Sequence, residues 1–517
     1  MPKISQEPIF ELIKSLTKSE KRNFKVYTNR ITPHEEAKFV RLFDIIDQLK
    51  EYNEDAILQK GHEIKPGQLS NLKAHLYKQI LTSLRLNHIN QNADIQIREN
   101  IDYARILYNK GLYRQSLRVL DRIKQKTKEE NQNILHLEIL DFEKMIESQY
   151  ITRSLEDRAD ILTKESRELS GIVTRAQELS NLALSLYGLY LKVGYVKNRN
   201  DFQLVQNYYQ GKLPNYRIKD LTFFEKLYLF QAKGWYFNIV QDFPNCYKNA
   251  QYWVDLFHDN PEMIEKQMDL YIKGLHNLQL ALFNTMSYEK HNQVIEAIEK
   301  LRNSKIHSFT GNNKVLLFLY VYLGRINQHF LEGTFDRGLA IAPEFEKELK
   351  SFSGKLDHHW LLLFYYKIAC LYFGSGQNEM AIKYLNKIIN FRDINLREDI
   401  HCFARILNLI AHFEIGNNDL VESQVKSVYR FLAKMDNLQH MQLAILKFLR
   451  RLPRVIPADI KQEFIKLKDK LIQISYDPLE RRPFLYLDII SWLESKIESR
   501  SVQEIIQEKF RQANRGH

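Results

Sequence analysis

Length, composition and charge place this chain among globular proteins and exclude several other classes. It has 517 residues, of which 44% are hydrophobic and 27% charged, a composition too apolar for wholesale disorder. Only 18 glycines and 12 prolines occur, and because strand-rich folds need many turns, this scarcity favours long helices with short connections. The formal net charge of +12 is a mild basic bias, compatible with nucleic acid or an acidic protein as partner.

The N-terminal 92 residues are predicted to form a small helical module. Thr17 and Glu20 have the spacing of a capping box, which predicts the start of a helix. Three further helices are predicted at about 34–51, 54–60 and 68–88.

The order of these three helices is loosely similar to that of a helix-turn-helix module, which reads DNA with its last helix. The alternative is a helical cap for the part of the chain that follows. In the DNA-reading hypothesis, the last helix exposes the polar side chains of Gln68, Asn71, Lys73, His75, Lys78 and Gln79.

A helical hairpin recurs from about residue 95 onward. The clearest copy turns at Gly376 and carries a small residue, Ala381, five positions later. A second copy turns at Gly111 and carries Ser116 at the same offset. Such units stack into a solenoid whose usual role is to hold another molecule. The predicted turns lie near Gly111, Ser154, Gly194, Asn245, Met286, Gly333, Gly376, Gly416, Pro453 and Ser499.

These hairpins resemble those of the tetratricopeptide repeat superfamily. The family has a period of about 34 residues, whereas successive turns here lie roughly 40 or more residues apart, so longer helices are expected. The family motif expects small, aromatic, glycine, alanine and large apolar residues, and the best copy offers Ala369, Tyr372, Gly376, Ala381 and Leu385.

The resemblance covers roughly residues 95–475 and implies an all-α, tetratricopeptide-like alpha-solenoid. Three parts are predicted: residues 1–92 as the N-terminal helical module, a cap or helix-turn-helix-like, residues 93–475 as the hairpin array, and residues 476–517 as the C-terminal capping helices. An array needs such caps because its terminal unit must present a polar outer face. The segment 199–221 interrupts the pattern, and is interpreted either as a hinge or as a long connector packed on the surface.

The resemblance also implies an inner groove that binds a partner protein or peptide. The groove positions in the first hairpin are polar and basic and those in the later hairpins are apolar, and an apolar lining accepts a partner helix or an extended peptide. The alternative is that neighbouring hairpins of the same array bury these side chains. The groove positions implied by the resemblance are Arg98, Ile101, Arg105, Tyr108, Leu363, Tyr366, Phe373, Phe403, Ile406 and Phe413.

A basic ridge is predicted along the second helix of the hairpin that turns at Gly111. Its side chains are four residues apart, a spacing at which like charges repel by a few tenths of a kcal/mol per pair. A compensating benefit would be contact with a nucleic-acid backbone or an acidic partner. The alternative is a solvated outer face, relieved by nearby acidic side chains. The ridge consists of Arg114, Arg118, Arg122 and Lys126.

The remaining patterns favour a non-enzymatic protein without cofactor or metal. Neither a phosphate-binding glycine loop nor a catalytic or metal-binding motif is found. The longest apolar run, Val315–Leu323, is too short for a membrane span, and no export signal is recognised. Together with only three cysteines, this predicts a cytoplasmic location. The leading hypothesis is a protein-interaction scaffold or adaptor, and the alternative is a nucleic-acid-associated regulator using the N-terminal module and the basic ridge.

Overall fold

The computed structural model describes ten stretches of the chain. They are residues 7–31, 38–88, 92–149, 157–304, 311–352, 356–391, 397–435, 438–452, 455–486 and 488–515. Within these residues the chain is α-helical with short 3-10 turns and contains no β-strand, which confirms the prediction of an all-α fold.

The chain divides into two compact units. Unit 1 is Met1–Val173 and unit 2 is Thr174–His517, so the division falls inside a long helix, Arg158–Val193. The sequence-based boundaries at residues 92 and 475 do not coincide with this division and remain predictions.

Unit 1 contains the first eight described helices and the start of the ninth. The predicted capping box is confirmed: the Thr17 backbone N–H donates to Glu20 Oε2 at 2.7 Å, and the Glu20 N–H donates to Thr17 Oγ1 at 3.2 Å. The helices are α1 (Pro8–Ser15), α2 (Lys18–Ile31), α3 (Lys38–Gln48), α4 (Glu54–Lys60), α5 (Pro66–His88), α6 (Ala93–Asn109), α7 (Tyr113–Glu129), α8 (Asn133–Gln149) and α9 (Arg158–Val193).

Two apolar clusters hold unit 1 together. The first is formed by the five helices α1 through α5 around Phe24 and Phe43, whose ring centroids are 4.7 Å apart. The second joins α6, α7 and α8, where Leu117 and Leu120 of α7 are fully buried. The apolar stripes of these amphipathic helices therefore face their neighbours, and the charged stripe of α7 faces outward.

Unit 2 contains the remaining described helices and the largest apolar core. They are α10 (Arg199–Lys212), α11 (Phe223–Ile239), α12 (Phe243–His258), α13 (Glu262–Lys266), α14 (Met268–Asn284), α15 (Tyr288–Asn303), α16 (Gly311–Glu332), α17 (Phe335–Gly338), α18 (Ile341–Leu349), α19 (His358–Gly374), α20 (Asn378–Ile389), α21 (Glu398–Glu414), α22 (Asn418–Lys434), α23 (His440–Arg451), α24 (Ile460–Ser475), α25 (Arg481–Tyr486), α26 (Ile489–Glu498) and α27 (Val502–Arg515).

Consecutive helices are joined by short turns that end one helix with a left-handed residue. Gly376 (φ 80°) and Gly416 (φ 81°) lie between the helices of two hairpins, where a side chain would be strained. The predicted turn near Asn245 is misplaced, because Asn245 lies in the first turn of α12 and the chain reverses at Gln241 (φ 62°). The turns predicted at Ser154 and Pro453 lie outside the described residues.

The segment 199–221 lies within unit 2 and packs against neighbouring helices. Residues Arg199–Lys212 form α10, which buries Val205 and Tyr209. The Tyr209 ring stacks on the Tyr236 ring of α11 with centroids 3.9 Å apart. This contact fixes α10 against α11.

Candidate functional site

The apolar groove positions predicted on α19 and α21 divide into core and half-buried residues. Tyr366, Phe373 and Phe403 are only 2%, 7% and 0% exposed, so the prediction that they line an open groove is wrong. Their faces of α19 and α21 pack against neighbouring helices, the alternative stated above. Leu363 and Phe413 are half-buried, and the centroid of the Phe413 ring lies 6.4 Å from that of Trp492.

Ile101 and Ile406 are core residues as well, with 4% and 0% exposure, so their assignment to the groove is also wrong. Both lie on the sides of their helices that face other helices of the same unit.

The groove positions predicted on α6 are occupied by intramolecular contacts within unit 1. Arg98 is exposed and its Nε donates to Asp94 Oδ2 at 3.0 Å. The Arg105 guanidinium lies 4.9 Å from the centre of the Phe142 ring. Tyr108 donates its hydroxyl to Gln149 at 2.8 Å. These residues form a polar surface.

Three of the four residues of the basic ridge lie on the exposed side of α7. Arg114, Arg118 and Arg122 are exposed. Lys126 is half-buried and donates to the side chain of Gln96. Among the described residues, Arg118 and Arg122 have no carboxylate partner, so their charges remain available to a ligand.

Some of the polar side chains of α5 that were proposed to read DNA contact other residues of unit 1. Lys73 lies 2.9 Å from Glu7 and 2.7 Å from Glu54, and Gln79 accepts a hydrogen bond from Tyr27 at 2.9 Å. The His75 ring packs against Phe39. Lys73 and Gln79 are half-buried and hold α5 against its neighbours, so these two are not exposed as the hypothesis requires. Gln68, Asn71, His75 and Lys78 are exposed, and DNA reading by α5 stays a prediction.

Three helices of unit 2 share a face that sequence reasoning did not identify. At one end, His276 of α14 stacks on Tyr320 of α16 with centroids 3.9 Å apart. Trp360 of α19 contacts both rings edge-on, at 6.0 and 5.9 Å. His276 and Trp360 are half-buried, and Tyr320 is buried. We call the surface formed here by α14, α16 and α19 the three-helix face.

A second layer of the three-helix face lies two helical turns further along each helix. Lys367 of α19 donates its Nζ to Asn327 Oδ1 of α16 at 2.7 Å. The same Nζ lies 4.6 Å from the Phe283 ring centre on α14 and 4.8 Å from that of Phe330 on α16. Phe283, Asn327 and Lys367 each follow their counterpart in the first layer by seven residues, so both layers lie on one side of the helices.

Burial in this aromatic setting, with a smaller contribution from the positive charge of Arg397, lowers the pKa of Lys367 to about 8. Arg397 itself binds Asp399 through two nitrogens at 2.9 and 2.8 Å. Cys370 lies one turn after Lys367, and burial raises the pKa of its thiol to about 12. The thiol is therefore neutral near pH 7.

A second partly buried lysine, Lys124 in unit 1, has a different environment. Its Nζ lies 2.7 Å from Glu143, which is fully buried, and 3.7 Å from Glu165. Glu143 also accepts from Arg158 at 3.1 Å. Desolvation raises the pKa of Glu143, and Lys124 opposes this effect. The cations and carboxylates of this cluster compensate one another.

One feature of the sequence distinguishes Lys367, although hydrophobic periodicity does not reveal it. It is the single Asp, Glu, Lys or Arg in α19, whose other residues are mostly apolar or aromatic. A lone charge in such a helix needs a partner from elsewhere. Identifying Asn327 as a neighbour requires the pairing of α16 with α19, which the sequence does not reveal.

Comparison with known proteins provides no further assignment. No family model, no curated protein and no solved structure matches this chain. Among the described residues, no group of three or more His, Cys, Asp or Glu side chains is placed to hold a metal ion. No helix in the described part is both long and apolar enough to cross a membrane.

Proposed function

We propose that this protein is a non-catalytic scaffold of the cytoplasm that binds a partner protein on the three-helix face. The single observation that carries the proposal is the gathering of half-buried side chains from α14, α16 and α19 on one side of unit 2. Trp360 and Leu363 supply apolar contact area, and Lys367 supplies a charge. Large aromatic anchors beside a specific polar group are typical of protein-binding surfaces.

The proposal includes the tetratricopeptide-like arrangement of the hairpins as an alpha-solenoid. Two observations support it: the short turns with left-handed residues at Gly376 and Gly416, and the repeated use of one face by α14, α16 and α19. In such an array the first helix of each hairpin lines a common binding surface.

A site-specific cross-link tests the scaffold proposal. Leu363 is replaced by a photo-crosslinking phenylalanine analogue, and Leu204 of α10, which is 70% exposed, receives the same residue as a control. We expect one protein to cross-link at position 363 and not at position 204. Equal labelling at both positions would contradict the proposal.

The affinity of the captured partner then provides a quantitative test. Leu363→Arg is expected to weaken binding roughly tenfold or more, since burial of one aliphatic side chain contributes about 1.5–3 kcal/mol. Leu204→Arg is expected to leave the affinity unchanged. Circular dichroism must show the same helix content for both variants.

A second candidate function, nucleic-acid binding, is favoured by one observation on unit 1. Arg118 and Arg122 are exposed, are one helical turn apart and have no carboxylate partner among the described residues. Phosphate contacts of this kind release counterions, so the affinity for RNA or DNA is expected to fall steeply between about 50 and 200 mM salt. The double change Arg118→Glu and Arg122→Glu is expected to abolish binding, whereas Lys383→Glu on α20 is not.

A further inference from the structure

Lys367 is a partly buried cation without a counter-charge. Among the described residues, no carboxylate lies within ion-pair distance of its Nζ. Its contacts are the Asn327 side-chain oxygen and the faces of Phe283 and Phe330. An amide oxygen and two aromatic rings attract an ammonium group but carry no net negative charge.

The neighbouring titratable groups do not supply the missing charge. Burial lowers the pKa of His291 to about 4 and raises that of Cys370 to about 12, so both are neutral near pH 7. The guanidinium of Arg397 adds positive charge, but Asp399 neutralises it through a two-point contact. One uncompensated positive charge therefore remains on this part of the three-helix face.

Asn327 provides a second unused group beside this charge. The residue is fully buried, its Oδ1 accepts from Lys367, and its Nδ2 has no hydrogen-bond partner. A buried amide N–H without a partner costs about 1–3 kcal/mol. An ammonium group has three donor hydrogens, of which Asn327 takes one, so Lys367 can also donate elsewhere.

We propose that Lys367 and Asn327 bind a carboxylate group of the partner protein. One oxygen of the carboxylate accepts from Lys367 Nζ, and the other accepts from Asn327 Nδ2 after a small shift of the flexible lysine side chain. The single uncompensated charge matches a monoanionic carboxylate better than a dianionic phosphate, which needs more cations and more donors. The inference rests on the proposed function only for the source of the carboxylate.

The site can be tested without knowing the partner. Fluorodinitrobenzene labels unprotonated, accessible amines, and peptide mass spectrometry gives the labelling rate of each lysine in the full-length protein. Lys383, exposed on α20, is the internal control. We expect about 100 mM acetate to slow labelling of Lys367 roughly fivefold relative to equal chloride, since one charge-assisted pair supports a Kd on the order of 10–30 mM. Labelling of Lys383 should be the same in both salts.

Asn327→Asp separates this site from a general effect of acetate. The aspartate has the shape of asparagine and places a permanent carboxylate beside Lys367 Nζ. We expect the variant to lose the acetate effect while its helix content remains unchanged. Equal labelling of wild-type Lys367 in acetate and chloride would overturn the inference, as would an undiminished acetate effect in Asn327→Asp.

The source of the carboxylate is tested with the partner captured at Leu363. Lys367→Met keeps the length and the contact with the phenyl rings but removes the charge. We expect it to weaken partner binding roughly tenfold, a loss typical of a charged hydrogen bond. An unchanged partner affinity together with acetate protection would overturn the assignment to the partner and indicate a free carboxylate ligand, while the scaffold proposal would stand.

Discussion

Lys124 in unit 1 and Lys367 in unit 2 are both partly buried on helices, but they differ in what surrounds the ammonium group. Lys124 lies 2.7 Å from the buried carboxylate of Glu143. Lys367 has only the amide oxygen of Asn327 and two phenyl rings. We call the group of Lys124, Glu143 and Arg158, whose charges compensate one another, the closed cluster. We call the group of Lys367, Asn327 and the two phenyl rings, which lacks a carboxylate, the open cluster.

The comparison shows how a stabilising charge can be distinguished from one available for binding. A buried ion pair whose members satisfy each other has nothing left for a ligand, and removing either member leaves the other uncompensated. A buried cation without a carboxylate weakens the free protein and gains most when a ligand supplies the negative charge. The first arrangement stabilises α7 against α8 and α9, and the second favours binding.

The largest expected loss of stability comes from removing the buried carboxylate of the closed cluster. Glu143→Ala leaves Lys124 and Arg158 without their buried carboxylate, so we expect unit 1 to lose about 3–5 kcal/mol of stability. Hydrogen exchange of peptides from α7 and α8 measures this loss. Glu138→Ala, at an exposed position on α8, is the control and is expected to change exchange little.

Hydrogen exchange of the Glu143→Ala variant can contradict the contrast drawn between Lys124 and Lys367. If Glu143→Ala leaves the α7 and α8 peptides as protected as in the wild type, the cluster is not stabilising. The double change Lys124→Met and Glu143→Leu tests whether the loss comes from the cation that is left without its carboxylate. It removes the pair together and is expected to recover most of the lost protection.

The pH dependence of stability should reveal the open cluster. The pKa of Lys367 falls from 10.5 to about 8 on folding, so between these pH values the unfolded chain binds more protons than the native one. The free energy of unfolding should therefore rise with pH in this window, by about 1–2 kcal/mol after allowance for partial exposure. Below pH 8 Lys367 is protonated in both states, so the pH dependence ends and the destabilisation by the buried charge is fully present.

Lys367→Met is the reference for this measurement, because it removes only the titrating group. Tryptophan fluorescence is a suitable probe of unfolding, since Trp235, Trp253, Trp360 and Trp492 all lie in unit 2. The free energy of unfolding of the wild type minus that of Lys367→Met should increase by about 1–2 kcal/mol as the pH rises from 8 to 10.5. A difference that stays constant would mean that Lys367 titrates normally.

Matched substitutions of the two lysines should have opposite effects at pH 7. Lys124→Met leaves Glu143 with Arg158 alone, and we expect a loss of about 1–2 kcal/mol in unit 1. Lys367→Met removes an uncompensated charge and keeps an apolar contact with the rings, so unit 2 should be unchanged or stabilised by up to about 1 kcal/mol. Hydrogen exchange of both units in each variant provides the comparison. Destabilisation of similar size by both changes would remove the distinction between the clusters.

Much of the fold follows from local patterns in the sequence, whereas the candidate site does not. The capping box at Thr17 and the turns at Gly376 and Gly416 depend on residues close in sequence, and they are placed correctly. The turn predicted near Asn245 lies four residues earlier, at Gln241, whose side chain donates to the Leu479 carbonyl at 3.2 Å, a contact that local patterns do not specify.

The groove was misassigned for the same reason. Periodicity identifies the apolar sides of α19 and α21, but more than one side of each helix is apolar. Which side is covered depends on the neighbouring helices, so the resemblance assigns Tyr366 and Phe403 to a groove although both are core residues. The contact between Lys367 and Asn327 joins residues 40 positions apart, and no local pattern specifies it.

The smallest expected effect on stability concerns the exposed cations of α7, which extend the comparison to solvated charges. Arg122→Ala should change the stability of unit 1 by less than about 0.5 kcal/mol, because a fully hydrated charge has little desolvation to offset. Hydrogen exchange of α7 measures this directly. Like charges four residues apart repel, so removing Arg122 should if anything stabilise α7 slightly, and the gain should shrink as salt is added. A loss comparable to that of Lys124→Met would mean that Arg122 belongs to the closed cluster and is not available to a ligand.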